Sequence, residues 1–300
     1  MDKDIFYTPG FGALPPPFAD PATSKVFLLP VPYDSSIEYR TGARSGPRSI
    51  LEASGELEMF DIELGTQPCE VGIHALPEMQ PVMKGPEFMV ERIHGVVGEL
   101  LGRGKMVVTL GGEHSLSAGA IKAYREKYPD LSVLHLDAHA DLRNEYLGTS
   151  YSHACVMRRV QEICPVVSVG TRSMCLEEHE YIQTQNLKLF YAEEMAEKGA
   201  VQKVVSALSP TVYVSIDLDV FDPSIMPAVA TPEPGGLLWG DVLGLLRAVT
   251  RGKRVVGFDV MELCPPAGPP ACAYLAAKLI YKLIGYIGAS PSPQRGRRLG

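Results

Sequence analysis

The chain has 300 residues, 46% of them hydrophobic and 21% charged, which is enough apolar material for a sizeable core and too much for wholesale disorder. Its 28 basic side chains stand against 35 acidic ones, a formal net charge of −7 that argues against a surface gripping nucleic acid through phosphates. No membrane span is expected either, because the most apolar stretch, 271–289, is interrupted by Lys278 and Lys282.

In chain order, the start Met1-Asp2-Lys3-Asp4 lacks the basic-then-apolar pattern of a secretory signal, so a cytoplasmic protein is expected. Residues 1–24 include a proline-rich stretch and are expected to be loose or to lie on a neighbouring subunit. Short runs of Val, Ile and Leu at 26–31, 106–110, 132–136, 166–170, 212–218 and 255–260 predict strands buried on both faces. Helical patterns run between them. Met89, Ile93, Val96, Val97 and Leu100 form one apolar stripe, ended by Gly102 and Gly104; Ala276, Leu279, Ile280, Leu283 and Ile284 form another. The Pro- and Arg-rich residues 290–300 are expected to behave like the other terminus. No repeat or linker interrupts the middle, so 1–300 reads as a single domain. Strands alternating with helices predict an α/β fold with three layers, α/β/α, around a mostly parallel central sheet.

Six cysteines (Cys69, Cys155, Cys164, Cys175, Cys264 and Cys272) include no C-x-x-C pair, and they read as buried or incidental thiols.

In a parallel sheet, ligands bind beyond the carboxyl ends of the strands. Four predicted strands end in unusual chemistry. The first runs into Gly111-Gly112-Glu113-His114-Ser115, the second into Asp137-Ala138-His139-Ala140-Asp141, the third into Asp217-Leu218-Asp219, the fourth into Met261-Glu262. Side chains two apart in an extended chain share a face. Asp137 and His139 therefore point together, as do Asp217 and Asp219, and Asp141 stays in step if no helix has begun. With His114, two imidazoles and four carboxylates can converge. Four buried carboxylates need a compensating cation, and two divalent metals supply it. Imidazole and carboxylate donors without thiolate favour Mn²⁺, with Zn²⁺, Co²⁺, Ni²⁺ or Fe²⁺ as other possibilities. His74, His94, His135 and His179 lack such company. His135 is expected to pack or hydrogen-bond on the opposite side of its strand from Asp137.

These residues resemble the ureohydrolases: arginase, agmatinase and their relatives. The resemblance rests on residues 39–47 (Tyr-Arg-Thr-Gly-Ala-Arg-Ser-Gly-Pro), Gly-Gly-x-His-Ser (111–115), Asp-Ala-His-x-Asp (137–141), Ser-x-Asp-x-Asp-x-x-Asp-Pro (215–223) and Thr-Pro-x-Pro-Gly-Gly (231–236), all in family order. It implies an arginase-like fold with a dimetal site at the strand ends. His114 and Asp141 would bind one metal, His139 and Asp219 the other, and Asp137 and Asp217 would bridge. It implies a proton-moving role for His153, a guanidinium-holding carboxylate in Glu262, a substrate contact from Thr231, and proton transfer to the leaving amine by Asp141. The implied reaction is attack of a metal-bridging hydroxide on a guanidino carbon, giving urea and an amine. The run Ser152 to Arg159 resembles the agmatinase branch, which makes agmatine the expected substrate and putrescine the expected product. Arg143 stands where arginases carry Asn for the α-carboxylate. A cation there would favour an acid such as 4-guanidinobutyrate, unless it is tied to Glu145 or another carboxylate. N1-aminopropylagmatine and arginine are the remaining ureohydrolase alternatives. Outside this class stand a one-zinc deacetylase-like amidohydrolase and a non-catalytic binding subunit. The family resemblance also implies a homo-oligomer, a trimer or a hexamer.

Overall fold

In the computed structural model, which describes residues 10–289, eight parallel strands form one sheet. They are β1 (Val26–Val31), β2 (Ile73–Ala75), β3 (Met106–Gly111), β4 (Leu131–Leu136), β5 (Val166–Thr171), β6 (Lys188–Tyr191), β7 (Thr211–Asp217) and β8 (Arg254–Met261). Their spatial order is β2-β1-β3-β8-β7-β4-β5-β6. All six predicted strands form. The two short edge strands β2 and β6 join them.

The alternation inside each strand feeds two cores. In β1, Val26 and Leu28 face one layer while Phe27, Leu29 and Val31 face the other. Both faces are therefore apolar, and the strand reads as an unbroken hydrophobic run. The first layer holds α1 (Gly46–Ser54), α6 (Ala200–Ala207), α7 (Trp239–Gly252) and α8 (Ala271–Ala289). The second holds α2 (Pro86–Gly102), α3 (Ser117–Lys127), α4 (Val156–Gln161) and α5 (Leu176–Gln185). This is the expected α/β/α sandwich. Helices α2 and α3 touch so closely that a Cβ on Gly119 would lie 2.3 Å from the Val90 carbonyl oxygen.

Helix α8 is the one helix among the described residues long and apolar enough to cross a membrane, but most of it is buried in the protein. Its charge at Lys282 is answered inside the fold: Nζ donates to Asp61 Oδ1 (3.0 Å) and Glu63 Oε2 (2.6 Å). Burial works to raise both carboxyls, yet the Leu64 N–H at Asp61 and the Lys282 ammonium at both hold them below their usual range. Carboxyls depressed in the folded state stabilise it above their unfolded pKa and stop doing so as pH falls through their folded values. Lys282→Ala leaves Asp61 buried and unpaired, a loss of about 3 kcal/mol at neutral pH. Urea midpoints should differ most at pH 7 and converge in acid; equal midpoints at pH 7 would show that the network contributes nothing.

Of residues 10–24, part of the stretch expected to be loose or on a neighbour, Phe11 sits in the chain's own core with Leu14 and Phe18 packed against it. Phe11 is buried against Tyr281, and the Gly12 N–H donates to Ser54 Oγ. An apolar anchor outweighs the surrounding prolines. Residues 1–9 and 290–300, which carry the rest of that expectation, lie outside the described residues. The cysteines are free thiols, all buried except the half-buried Cys175.

Candidate metal centre

The strands whose ends carry the unusual chemistry are neighbours in the middle of the sheet, in the order β3, β8, β7, β4. Gly111-Gly112 carries the chain out of β3 past β1. A Cβ on Gly112 would lie 1.8 Å from the Tyr33 carbonyl oxygen, so glycine alone fits there. The next residues place Glu113 and His114 inside the protein, both essentially inaccessible to solvent.

Each strand end is tied by its own carboxylates. Asp137 Oδ1 accepts the His139 N–H, and Asp217 Oδ1 accepts the Asp219 N–H. Asp219 Oδ1 accepts the Ala138 N–H at 2.9 Å, which ties the β7 end to the β4 end. No helix follows Asp137 directly, so Asp141 reaches the cluster as the spacing predicts, but it does so from a left-handed backbone with φ 54°. Glu262 is likewise left-handed, at φ 66°. Such conformations cost on the order of 1 kcal/mol or more each and persist where the surroundings enforce them.

The six predicted ligands come together. His114 Nδ1 lies 3.0 Å from Asp137 Oδ2 and 3.3 Å from Oδ2 of both Asp141 and Asp217. His139 Nδ1 lies 2.8 Å from Asp219 Oδ2 and 3.6 Å from Asp137 Oδ1. Asp137 thus belongs to both groups. Although three carboxylate oxygens surround it, His114 Nδ1 is buried and hydrogen-bonded to none of them. An imidazole nitrogen so placed fits a divalent cation seated among these oxygens.

The electrostatics fit the same conclusion. Burial and the charges of Asp219 and Asp137 hold Asp217 well above the usual carboxylate range, and burial with Asp137 pushes Asp141 up to about 7. Asp137 stays well below that range despite its burial, because His135, His114 and His139 face it. Burial opposes the charge on both cluster imidazoles, yet the carboxylates raise His114 well above its ordinary value and His139 to about 12. The group is short of positive charge, and a pair of divalent cations would supply it.

Around the cluster lies a cleft of about 300 Å³ lined by, among others, Glu38, Tyr39, Arg143, Tyr146, His153, Cys175 and Thr231. At its floor Glu262 Oε1 accepts the His114 N–H at 2.7 Å, while its buried Oε2 has no protein partner. Burial, then Asp217 and Glu113, holds this carboxyl well above its ordinary value. His153 lies in the wall and is pushed down to about 4, chiefly by burial. Arg143 makes no ion pair with Glu145 or any other described carboxylate. Its guanidinium lies 4.8 Å over the Tyr146 ring, whose hydroxyl donates to Glu38.

One expectation fails. His135 does not face away from Asp137: its Nε2 is 2.9 Å from Asp137 Oδ2 and its Nδ1 3.1 Å from Ser168 Oγ. Residues 135 and 137 are two apart, and strand parity puts them on one side. The chain also contains support that the motifs do not advertise. His114 Nε2 meets Ser215 Oγ at 3.0 Å, and Ser215 donates to Asp259 Oδ1 at 2.8 Å. The legible signal was a polar residue two positions before each ligand on a buried strand, Ser215 before Asp217 and His135 before Asp137.

The arginase family model matches residues 24–285. The N(1)-aminopropylagmatine ureohydrolase of Thermus thermophilus is 43% identical over 284 residues, covering 93% of this chain and 94% of that one. The enzyme of the same name from Synechocystis is 38% identical over 278 residues, covering 90% and 91%. The solved agmatine ureohydrolase of Thermoplasma volcanium superposes with a TM-score of 0.85 at 30% identity, covering 95% of this chain and 96% of that one. With the fold, the ordered motifs and these likenesses in agreement, the chain belongs to the arginase family of ureohydrolases.

Proposed function

We propose that this ureohydrolase acts on guanidinoalkylamines, N1-aminopropylagmatine ahead of agmatine, releasing urea and the corresponding polyamine. The observation that carries the reading is the unpartnered, buried Oε2 of Glu262 at the floor of the cleft, beside the carboxylate cluster. A planar guanidinium supplies the missing donors there through charge-assisted hydrogen bonds. The ranking of substrates is supported by the 43% and 38% identical relatives, both named for aminopropylagmatine. Glu38 at the mouth offers a carboxylate to a distal ammonium.

His114, Asp137, His139, Asp141, Asp217 and Asp219 would hold two divalent metals, proposed as Mn²⁺, which when bound supply Lewis acidity that activates water at neutral pH. Glu262 orients the guanidinium. Water adds to its carbon, the bond from that carbon to the alkyl-bearing nitrogen breaks, and Asp141 passes the proton gained to the leaving amine. His153 and Thr231 border the substrate from the wall.

Urea release by Mn²⁺-loaded protein tests the reading against N1-aminopropylagmatine, agmatine, arginine and 4-guanidinobutyrate. The expected kcat/KM for aminopropylagmatine exceeds that for agmatine by about 10-fold, the worth of one partly exposed ion pair, with both acids at least about 100-fold lower. A second reading rests on Arg143: preference for 4-guanidinobutyrate would make that cation the selector.

A further inference from the structure

Arg172, the residue that follows β5, is half-buried and fastens the two strand ends that carry His139 and Asp219. Among the described residues, every acceptor of its guanidinium is a backbone carbonyl. Nη2 donates to Asp219 O at 2.7 Å, Glu233 O at 2.8 Å and Phe221 O at 3.3 Å. Nη1 donates to Gly170 O at 3.0 Å and Val220 O at 3.4 Å, and Nε is shared between Pro234 O at 3.1 Å and Glu233 O at 3.2 Å. Residues 219–221 form the turn that leaves β7. Glu233 and Pro234 lie in the loop that follows Thr231, and that loop is anchored to the same turn, because Asp222 Oδ2 accepts the N–H groups of Gly235 and Gly236. A Cβ on Gly236 would lie 2.7 Å from Nη2 and 2.5 Å from the Asp222 nitrogen, so a glycine makes the room.

The backbone of Arg172 reaches the other strand end. Its N–H donates to Ala138 O at 2.8 Å, and the Ser173 N–H donates to the same oxygen at 3.0 Å. Ala138 stands between Asp137 and His139, and its own N–H donates to Asp219 Oδ1. Ala138, Asp219 and Arg172 therefore close a ring of hydrogen bonds. Turning the Asp219 carboxylate away from His139 Nδ1, 2.8 Å distant, breaks a member of that ring. Charge works in the opposite sense. Of the charges that act on Arg172, those of Asp219 and Asp137 are the largest, so its cation competes with a metal for the same carboxylates. What it offers in return is geometry, five N–H donors in one rigid plane, which lysine lacks. We infer that Arg172 is a positioning residue for one of the two metal seats: its guanidinium locks the 219–221 turn so that Asp219 and His139 face the same ion, and this outweighs the repulsion its charge imposes there. The inference rests on the ligand assignment proposed above.

The sign of one effect tests it. Titrating metal-free, full-length protein with Mn²⁺, and following the EPR signal of the free ion, gives a dissociation constant for each seat without any turnover. Asp219→Ala marks the seat in question by abolishing it. Arg172→Gln removes both fork and charge; Arg172→Lys keeps the charge alone. Charge by itself predicts tighter binding in Arg172→Gln and no change in Arg172→Lys. Positioning predicts weaker binding at the marked seat in both, by about 100-fold and about 10-fold, with the other seat within about 3-fold of wild type. In the double variant of Arg172→Gln with Asp219→Ala, the remaining ion should bind as in Asp219→Ala alone, whereas a general loosening of the fold would weaken it further. Arg172→Lys decides the matter if Arg172→Gln does not fold. Tighter or unchanged binding at the marked seat, or equal weakening of both seats, would overturn the inference. A wild type that takes up fewer than two ions would sink the ligand assignment and this inference with it; two ions and an unshifted Arg172→Lys would sink this inference alone.

Discussion

Asp219→Ala should reduce metal content from two ions per chain to about one and lower urea release by about 10³-fold, since each factor of ten costs 1.36 kcal/mol and a Lewis-acidic ion contributes several. Asp219 faces His139 Nδ1 at 2.8 Å, and its other oxygen fastens the β4 end through the Ala138 N–H. Its removal takes a ligand from the more exposed of the two groups, and His139 alone with a shared Asp137 is a poor site. His114, with Asp137, Asp141 and Asp217 around it, should keep its ion. Metal counted by mass spectrometry on the same sample as the urea assay checks both halves. Full activity with full metal content would remove Asp219 from the ligand set.

Glu262→Gln is expected to separate activity from stability. The glutamine oxygen can still accept the His114 N–H, so the loop keeps its shape, but the charge that meets the guanidinium is gone. Losing one partner of a desolvated, hydrogen-bonded ion pair costs about 3 kcal/mol or more, which is about 10²-fold in kcat/KM or greater. Metal content should be unchanged. Substrate-free protein should melt higher than wild type, because the buried carboxylate that Asp217 and Glu113 repel is replaced by a neutral group. A variant that loses activity and stability together would mean that Glu262 holds the fold rather than the substrate.

The chemistry was more legible in the sequence than the geometry that presents it. Glycine pairs, alternating acids and a histidine at successive strand ends leave few other readings, because parity alone brings such side chains to one side. The same parity exposes His135, whose partner is two positions on. The left-handed backbone of Asp141 and Glu262 carries no sequence signal, since neither is a glycine and the surrounding packing enforces it. Strands β2 and β6 escape because one is only three residues long and the other is half-exposed and begins with a lysine. Arg172 and Glu233 are 61 positions apart, and nothing local announces a partnership that the fold creates. Arg143 was ambiguous for the same reason: its resting place over Tyr146 depends on how the loop turns.

The position of β8 has a consequence for synthesis. It is the last of the described strands in chain order, yet it sits between β3 and β7 and joins the β2-β1-β3 group to the β7-β4-β5-β6 group. Until residue 261 is available, a nascent chain holds two part-sheets, each with an unpaired and largely apolar edge strand awaiting the same partner. Those edges are the ones that later present His114 and Asp217. A ribosome stall or truncation before β8 should therefore release a sticky chain in two pieces of sheet, and chaperone demand during translation should peak just before Arg254–Met261 emerges.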